Sequence, residues 1–411
     1  MTTNSLLDPD ERHPVRWRML AVLAVAELLG MSLWFAASSV APQLARQWSL
    51  TTSQAGWLTT IVQFGFVFGA ATAAILNLAD IIPSRPYFAA AALIGALANA
   101  GVAYAGGFAM ALLLRFVTGF ALAGVYPPAM KMAATWFRAR RGFAIGTVVG
   151  ALTIGKATPY LVHALPHASA RGVILTASAC AIASSLLIAT SYFDGPFPFA
   201  PRPFEWSLVR TVFERREWRL ATAGYLGHMF ELYSFWTWIP LFIIASVAAE
   251  GTAATPHVRS LEALLAFGTI AIGGAGCVWG GLAADRRGRE HLVMLAMAIS
   301  GSCALVIPLV FGRTLWAVAP LAWVWGFFVV ADSAQFSTLV TEAVPPHAVG
   351  TALTIQTSLG FLLTTVSIQL IPPLVNSVGW RWVFPILALG PVFGIAAIRR
   401  LRGAKRALAA A

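Results

Sequence analysis

Charge is what this chain has least of. Of its 411 residues, 11% are Asp, Glu, Lys or Arg, whereas soluble domains carry about 25%. That shortage excludes an ordinary water-soluble domain. Acidic residues are the scarcer sign, 16 against 28 basic ones. Cysteine is nearly missing too. Cys180, Cys277 and Cys303 all fall in apolar stretches. This argues against a disulfide framework, and the lack of ligand spacing argues against a metal site. No Gly-x-x-x-x-Gly-Lys-Ser/Thr loop occurs, so direct ATP hydrolysis is not expected. The first 16 residues have no secretory n-region, h-region or cleavage site, so the first apolar run is read as a helix, not a removed leader.

What the chain has instead is hydrophobic length. It is 58% hydrophobic, with a mean hydropathy of +0.75. Apolar runs of ~20 residues recur, about the length a helix needs to cross a bilayer core. About twelve are expected, near 17–41, 51–76, 86–106, 109–132, 142–166, 171–193, 218–247, 261–284, 291–311, 315–341, 349–375 and 381–399. Gly and Pro lie inside many of them, as membrane helices tolerate. The fold class is therefore an all-α membrane protein.

The net charge of +12 would suit a nucleic-acid partner, but its placement points elsewhere. If the spans alternate, Arg12, Arg16, Arg18, Arg138, Arg140 and Arg141 fall on one side. So do Arg202, Arg210, Arg215, Arg216, Arg219, Arg286, Arg287 and Arg289, with Arg399, Arg400, Arg402, Lys405 and Arg406 at the end. The other side has Arg46, Arg171, Arg259, Arg313 and Arg381. This asymmetry predicts cytoplasmic termini, in what is expected to be a bacterial cytoplasmic membrane, and needs no nucleic acid.

The longest break between spans is 194–217. Pro201 and Pro203 oppose a helix at its start, and 205–217 suits a short amphipathic surface helix. The expected organisation is a tail over 1–16, a first bundle over 17–193, a linker over 194–217, a second bundle over 218–399 and a basic tail over 400–411.

The two halves echo each other. Glu27-Leu28 is followed by Trp34, and Glu231-Leu232 by Trp238, at an offset of 204. Ala144-Ile145-Gly146-Thr147 matches Ala348-Val349-Gly350-Thr351 at the same offset, and Asp80 matches Asp285 within one position. Internal repeats with a site at their interface are a common transporter construction.

Charges inside the apolar runs are candidate functional residues, because a carboxylate costs roughly 2.5–3.5 kcal/mol at the centre of a membrane helix. Glu27 and Glu231 lie near mid-span. His228, three residues before Glu231, shares its helix face; Trp238 continues that face. Arg115 lies in span four, and Asp332 with Gln335 in span ten. Glu27 with Arg115 reads either as a coupling pair or as a structural ion pair. Glu231 with His228 could be a satisfied polar pair, and Asp332 a water-exposed residue at a mouth. Lys131 suits interfacial snorkelling, whereas Lys156 is too deep to snorkel easily and is a candidate substrate-binding residue or counter-ion. Gly146, Gly150 and Gly155 suit close helix packing, and Trp236 and Trp238 suit either a pocket or an interface.

Gly281-Leu282-Ala283-Ala284-Asp285-Arg286-Arg287-Gly288-Arg289 resembles the cytoplasmic loop motif of the major facilitator superfamily. Asp80 and Arg85 hold the equivalent places in the first half, where Leu76 and Pro83 replace the usual Gly. Arg115-Phe116-Val117-Thr118-Gly119 resembles the family's fourth-helix motif. The resemblance implies two six-helix bundles rocking about a central site lined by helices one, four, seven and ten. A helix-end Asp, a Gly turn and several Arg can latch one arrangement of the bundles. The latch candidates are Asp80, Arg85, Gly281, Asp285, Arg286, Gly288 and Arg289.

The expected function is secondary active transport of a small solute by alternating access, a small organic or inorganic anion before other solutes, coupled to protons, by a monomer with no cofactor and no enzymatic activity. Ala134-Thr135-Trp136-Phe137 with Arg141-Gly142-Phe143-Ala144-Ile145-Gly146 resembles the junction of helices four and five in anion and monocarboxylate porters, and Lys156 and Arg115 suit an anion. The Glu27–Arg115 pairing instead resembles proton-coupled multidrug antiporters, which keeps export of lipophilic cations as an alternative. A sensor on a transporter fold is the alternative of another class. Of the two carboxylates, the ion-paired role falls to Glu27 and the proton-carrying role to Glu231, with His228 modulating it.

Overall fold

The computed structural model describes residues 14–138, 140–197 and 204–410, apart from the side chains at 79, 80, 141 and 408–410. Among the described residues the regular structure is entirely helical. The long helices are α1 (Val15–Met31), α2 (Thr52–Ile75), α3 (Ser84–Val102), α4 (Phe108–Trp136), α5 (Gly142–His163) and α6 (Ala170–Ser191). They continue with α7 (Arg216–Glu250), α8 (Pro256–Arg287), α9 (Arg289–Leu309), α10 (Leu315–Ala343), α11 (Pro346–Trp382) and α12 (Phe384–Ala407).

Ten of these, all but α1 and α3, are long and apolar enough to cross a membrane, against the twelve spans expected. The first span departs from expectation for a visible reason. It was expected as one run over 17–41, but α1 stops at Met31 and helix resumes only as a short turn, Ser38–Val40, and a segment, Ala41–Trp48. In the break the carbonyls of Leu33 and Trp34 accept from the Arg115 guanidinium. Ser32 Oγ donates to the Ala177 carbonyl across to α6 at 3.2 Å.

Helix starts follow local chemistry. Thr51 and Gln54 form a reciprocal capping box at the start of α2, which satisfies two otherwise orphan donors. Ser169 and Thr255 accept from the first-turn amides of α6 and α8. The described part of the tail expected from residue 400 continues α12, which runs on to Ala407. The surface helix expected over 205–217 spans Trp206–Glu214, with Arg215 already capping α7. Arg12, Pro201, Arg202 and Pro203 lie outside the described residues.

The halves meet along two seams. On one, α5 packs on α8 through glycines, so that a Cβ on Gly150 would lie 2.9 Å from the Gly274 carbonyl. On the other, α2 meets α11 through side chains. Ser53 Oγ donates to Gln369 Oε1 at 3.0 Å, and Gln369 Nε2 donates to Thr60 Oγ1 at 3.0 Å. A cavity of about 620 Å³ opens between the halves at the Arg-rich end, lined by Tyr126, Lys131, Asp285, Arg289 and Gln335 among others. A second, of about 240 Å³, lies at the opposite end beside Arg46, Tyr160, Trp238 and Arg259.

Candidate functional site

Between the two cavities the chain places one buried ammonium among aromatic rings. Ile145 of α5 lines the larger cavity and Tyr160 the smaller. Lys156 lies between them and is 2% exposed. Its Nζ donates to Tyr233 Oη on α7 at 2.6 Å. The same Nζ lies 4.1 Å from the Trp34 ring centroid, 4.7 Å from Tyr233 and 5.1 Å from Trp236. A cation within about 6 Å of a ring face is attracted by its quadrupole, the more so where water is excluded. The cage draws on both halves, with Trp34 and Lys156 from the first and Tyr233 and Trp236 from the second. Phe66 and Phe361 pack behind it at 4.6 Å, linking α2 to α11.

Glu27 lies on α1 where that helix packs against α5: a Cβ on Gly155, the residue before Lys156, would stand 2.2 Å from the Leu28 carbonyl oxygen. The Glu27 side chain is fully buried, and neither carboxylate oxygen meets a donor among the described residues. The expected Glu27–Arg115 pair is not formed. Arg115 donates instead to the carbonyls of Leu33 at 2.7 Å, Leu58 at 3.2 Å and Trp34, and to Asn99 Oδ1 at 3.3 Å. Four oxygens, two in the break after α1 and one each on α2 and α3, absorb the guanidinium fork, so Arg115 holds that break open. Its five donors in a rigid fork suit such a task better than a point charge would. The pairing that carried the multidrug resemblance is therefore not made.

The second repeated carboxylate has a different setting. Glu231 accepts from Ser300 Oγ and from Trp325 Nε1, both at 2.8 Å. Those partners stand on α9 and α10, so Glu231 is held inside the second half. His228 is not its partner: His228 Nδ1 lies 2.9 Å from Asp332 Oδ1, and Nε2 lies 2.8 Å from Ser333 Oγ. Asp332, for which a water-exposed mouth position was one expectation, is 1% exposed. Gln335 lines the larger cavity, as does Lys131. Trp238 is buried and donates to the Ile368 carbonyl at 2.9 Å, whereas its echo Trp34 forms a wall of the lysine cage.

The loop-motif residues divide. Asp285 lines the larger cavity beside Gly142 and Gly281, with one carboxylate oxygen 3.8 Å from where a Gly142 Cβ would stand. That puts an acid at the N-terminus of α5, where the helix dipole favours negative charge. Gly288 makes the reversal at φ +84, a conformation that costs glycine least. Arg286 is exposed. Arg289 pairs with Glu342 at 2.6 Å, and Lys405 reaches both Glu342 at 3.2 Å and Glu290 at 2.7 Å. This network ties α9, α10 and α12 within the second half. In the first half Arg85 donates to the Ala189 carbonyl; the Asp80 side chain lies outside the described residues.

Sequence reasoning did not single out Tyr233, Ser300, Trp325, Asn99 or Glu342. Tyr233 carried a usable signal, as the tyrosine two residues after a mid-span Glu. The others are legible only through the packing of separate helices. Among the described residues no group of three or more His, Cys, Asp and Glu could hold a metal ion.

Comparison with known proteins adds a family and three relatives. The family model described as Major Facilitator Superfamily matches residues 23–368. The niacin transporter NiaP of Acinetobacter baylyi is 32% identical over 96 residues, 23% of this chain and 21% of that protein. A probable sulfoacetate transporter, SauU, of Cupriavidus necator is 28% identical over 191 residues, 45% of this chain and 44% of that protein. A galacturonate transporter of Dickeya chrysanthemi is 27% identical over 150 residues, 36% of this chain and 43% of that protein. The matches thus cover less than half the length of each relative.

Proposed function

The chain belongs to the major facilitator superfamily, and from that premise we propose that it is a secondary active transporter moving a small organic anion by alternating access. The observation that carries the reading is the Lys156 ammonium, buried between the halves and between the two cavities, touching one hydroxyl and three rings. A carboxylate brought to that nitrogen gains a charge-assisted hydrogen bond. The low local dielectric strengthens the bond. The rings of Trp34 and Trp236 offer flat apolar walls to the rest of the solute. The solutes named for the three relatives, niacin, sulfoacetate and galacturonate, are all acids that ionise to a carboxylate.

Glu27 supplies the coupling in this reading. Its carboxylate and the substrate's compete for the one charge of Lys156. A substrate anion binds best when Glu27 carries a proton, and a proton released from Glu27 weakens the anion's hold. Anion and proton then travel together. This reverses the roles expected from sequence, because Glu231 is already engaged by Ser300 and Trp325.

By the excess of basic residues on one side, the larger cavity faces the cytoplasm. Asp285 at the N-terminus of α5 serves as the contact between halves that holds that end and breaks as it moves. The cavity and the cage are both built within one chain, so one copy suffices.

The test is a ligand panel on purified protein, read by quenching of intrinsic tryptophan fluorescence, since Trp34 and Trp236 wall the cage. Aromatic and aliphatic monocarboxylates are expected to quench saturably. Quenching by lipophilic cations with no response to any carboxylate overturns the anion reading.

A further inference from the structure

Away from the central site, a third cavity of about 420 Å³ is cut into the surface of the second half. It is lined by His291, Met294 and Leu295 of α9 and by Arg399, Arg402 and Arg406, with Gly403, of α12. The three arginines are spaced i, i+3 and i+7, so they form one stripe along one helix face. No hydrogen bond or ion pair engages any of the three among the described residues. The acids nearby are taken, since Glu290 and Glu342 are held by Lys405 and Arg289. No carboxylate lines the cavity.

The stripe has a definite place in the fold. About two to three turns back along α12, Leu389, Val392 and Phe393 are exposed apolar side chains, with Phe393 at 68%. Val392 and Arg399 are seven residues apart and share a face. On α9, Leu305 and Val306 are likewise exposed on the run that begins at His291. A groove with guanidinium groups at its outer end and greasy flanks inward matches a molecule with an anionic head and acyl tails.

We propose that this groove binds the phosphate head group of an anionic phospholipid, with the arginine stripe on the head and Met294 and Leu295 against the first methylenes. Basic pockets between membrane helices at the surface recognise such head groups, and each basic residue contributes about fivefold in affinity. Guanidinium forks match phosphate oxygens in pairs, which a diffuse surface charge does not. Gly403 leaves the middle of the stripe without a side chain, so the head group can approach the helix backbone there.

The experiment uses the full-length protein in detergent micelles, with native mass spectrometry counting retained lipid. The wild type is offered equal amounts of phosphatidylglycerol and phosphatidylcholine. It is expected to retain phosphatidylglycerol selectively. The triple variant Arg399→Gln, Arg402→Gln, Arg406→Gln is expected to lose that selectivity by about a hundredfold. A charge-matched control, Arg210→Gln, Arg215→Gln, Arg216→Gln, is expected to keep it. Should the triple variant fail to fold, by gel filtration and helical circular dichroism, the single variant Arg402→Gln is expected to lose about fivefold. Equal loss in the control and the stripe variant overturns the site in favour of bulk charge. Displacement of the bound lipid by millimolar inorganic phosphate alone overturns the lipid assignment.

Discussion

The ammonium of Lys156 on α5 and the hydroxyl of Tyr233 on α7 share a 2.6 Å hydrogen bond, which joins the two halves of the chain at the level that divides the two cavities. A hydrogen bond to a charged group contributes about 1.5–3 kcal/mol. Tyr233→Phe keeps the ring and removes the bond. It is expected to shift the balance between cavity states by about tenfold or more. Spin labels at Arg46 and Arg259, which line the smaller cavity from opposite halves, should report a larger population of long distances. An unchanged distance distribution counts against the bond as a tie between the halves.

Lys156→Gln should leave the fold intact, because glutamine fills much of the same volume and can still meet Tyr233. Carboxylate affinity is expected to fall about tenfold to hundredfold, the value of one charge-assisted hydrogen bond. Isothermal titration is the check. Normal affinity in this variant removes Lys156 from the site.

The two repeated carboxylates should behave differently. Glu27→Gln fixes a neutral side chain at that position, so it is expected to permit exchange at equal concentrations and to abolish accumulation driven by a pH gradient. Glu231→Gln keeps an oxygen for Trp325 and a polar group for Ser300, so it is expected to retain gradient-driven accumulation. Proton movement recorded with a pH dye in proteoliposomes separates them. Loss of proton flux in Glu231→Gln with normal flux in Glu27→Gln would restore the assignment read from sequence.

Arg115→Ala should damage folding, not specificity. It leaves the carbonyls of Leu33, Leu58 and Trp34 and the Asn99 amide oxygen without this donor. Each buried acceptor left without a donor costs about 1–3 kcal/mol. Arg115→Lys is expected to recover little, because one ammonium cannot reach four oxygens spread over two helices and the break after α1. Retention of wild-type yield and thermal stability in Arg115→Ala would contradict this.

The sequence exposed the fold because periodic hydrophobic length and the placement of arginine are properties of the chain itself. It also marked Lys156, since an ammonium that deep in an apolar run is costly unless a partner or a solute meets it. It misled on symmetry. At the offset that matches Glu27 to Glu231, Lys156 is matched by Gly360 and Arg115 by Ala319. The carboxylates were repeated but their partners were not, so equal positions carry unequal chemistry. Partners such as Ser300 and Trp325 stand 69 and 94 residues from Glu231, and only packing brings them together. The break after Met31 was equally hidden, because the residue that stabilises it, Arg115, comes from another helix.

The central claim is that the caged ammonium of Lys156 carries an organic anion across the membrane. Counterflow tests it most directly. Proteoliposomes are loaded with an unlabelled monocarboxylate that binds the purified protein, and a trace of the labelled compound is added outside. The wild type should show a transient overshoot of internal label that lipophilic cations do not suppress. Lys156→Gln, reconstituted at equal density, should show none. An overshoot of equal size in Lys156→Gln, or counterflow of a lipophilic cation with none of any carboxylate, would contradict the account.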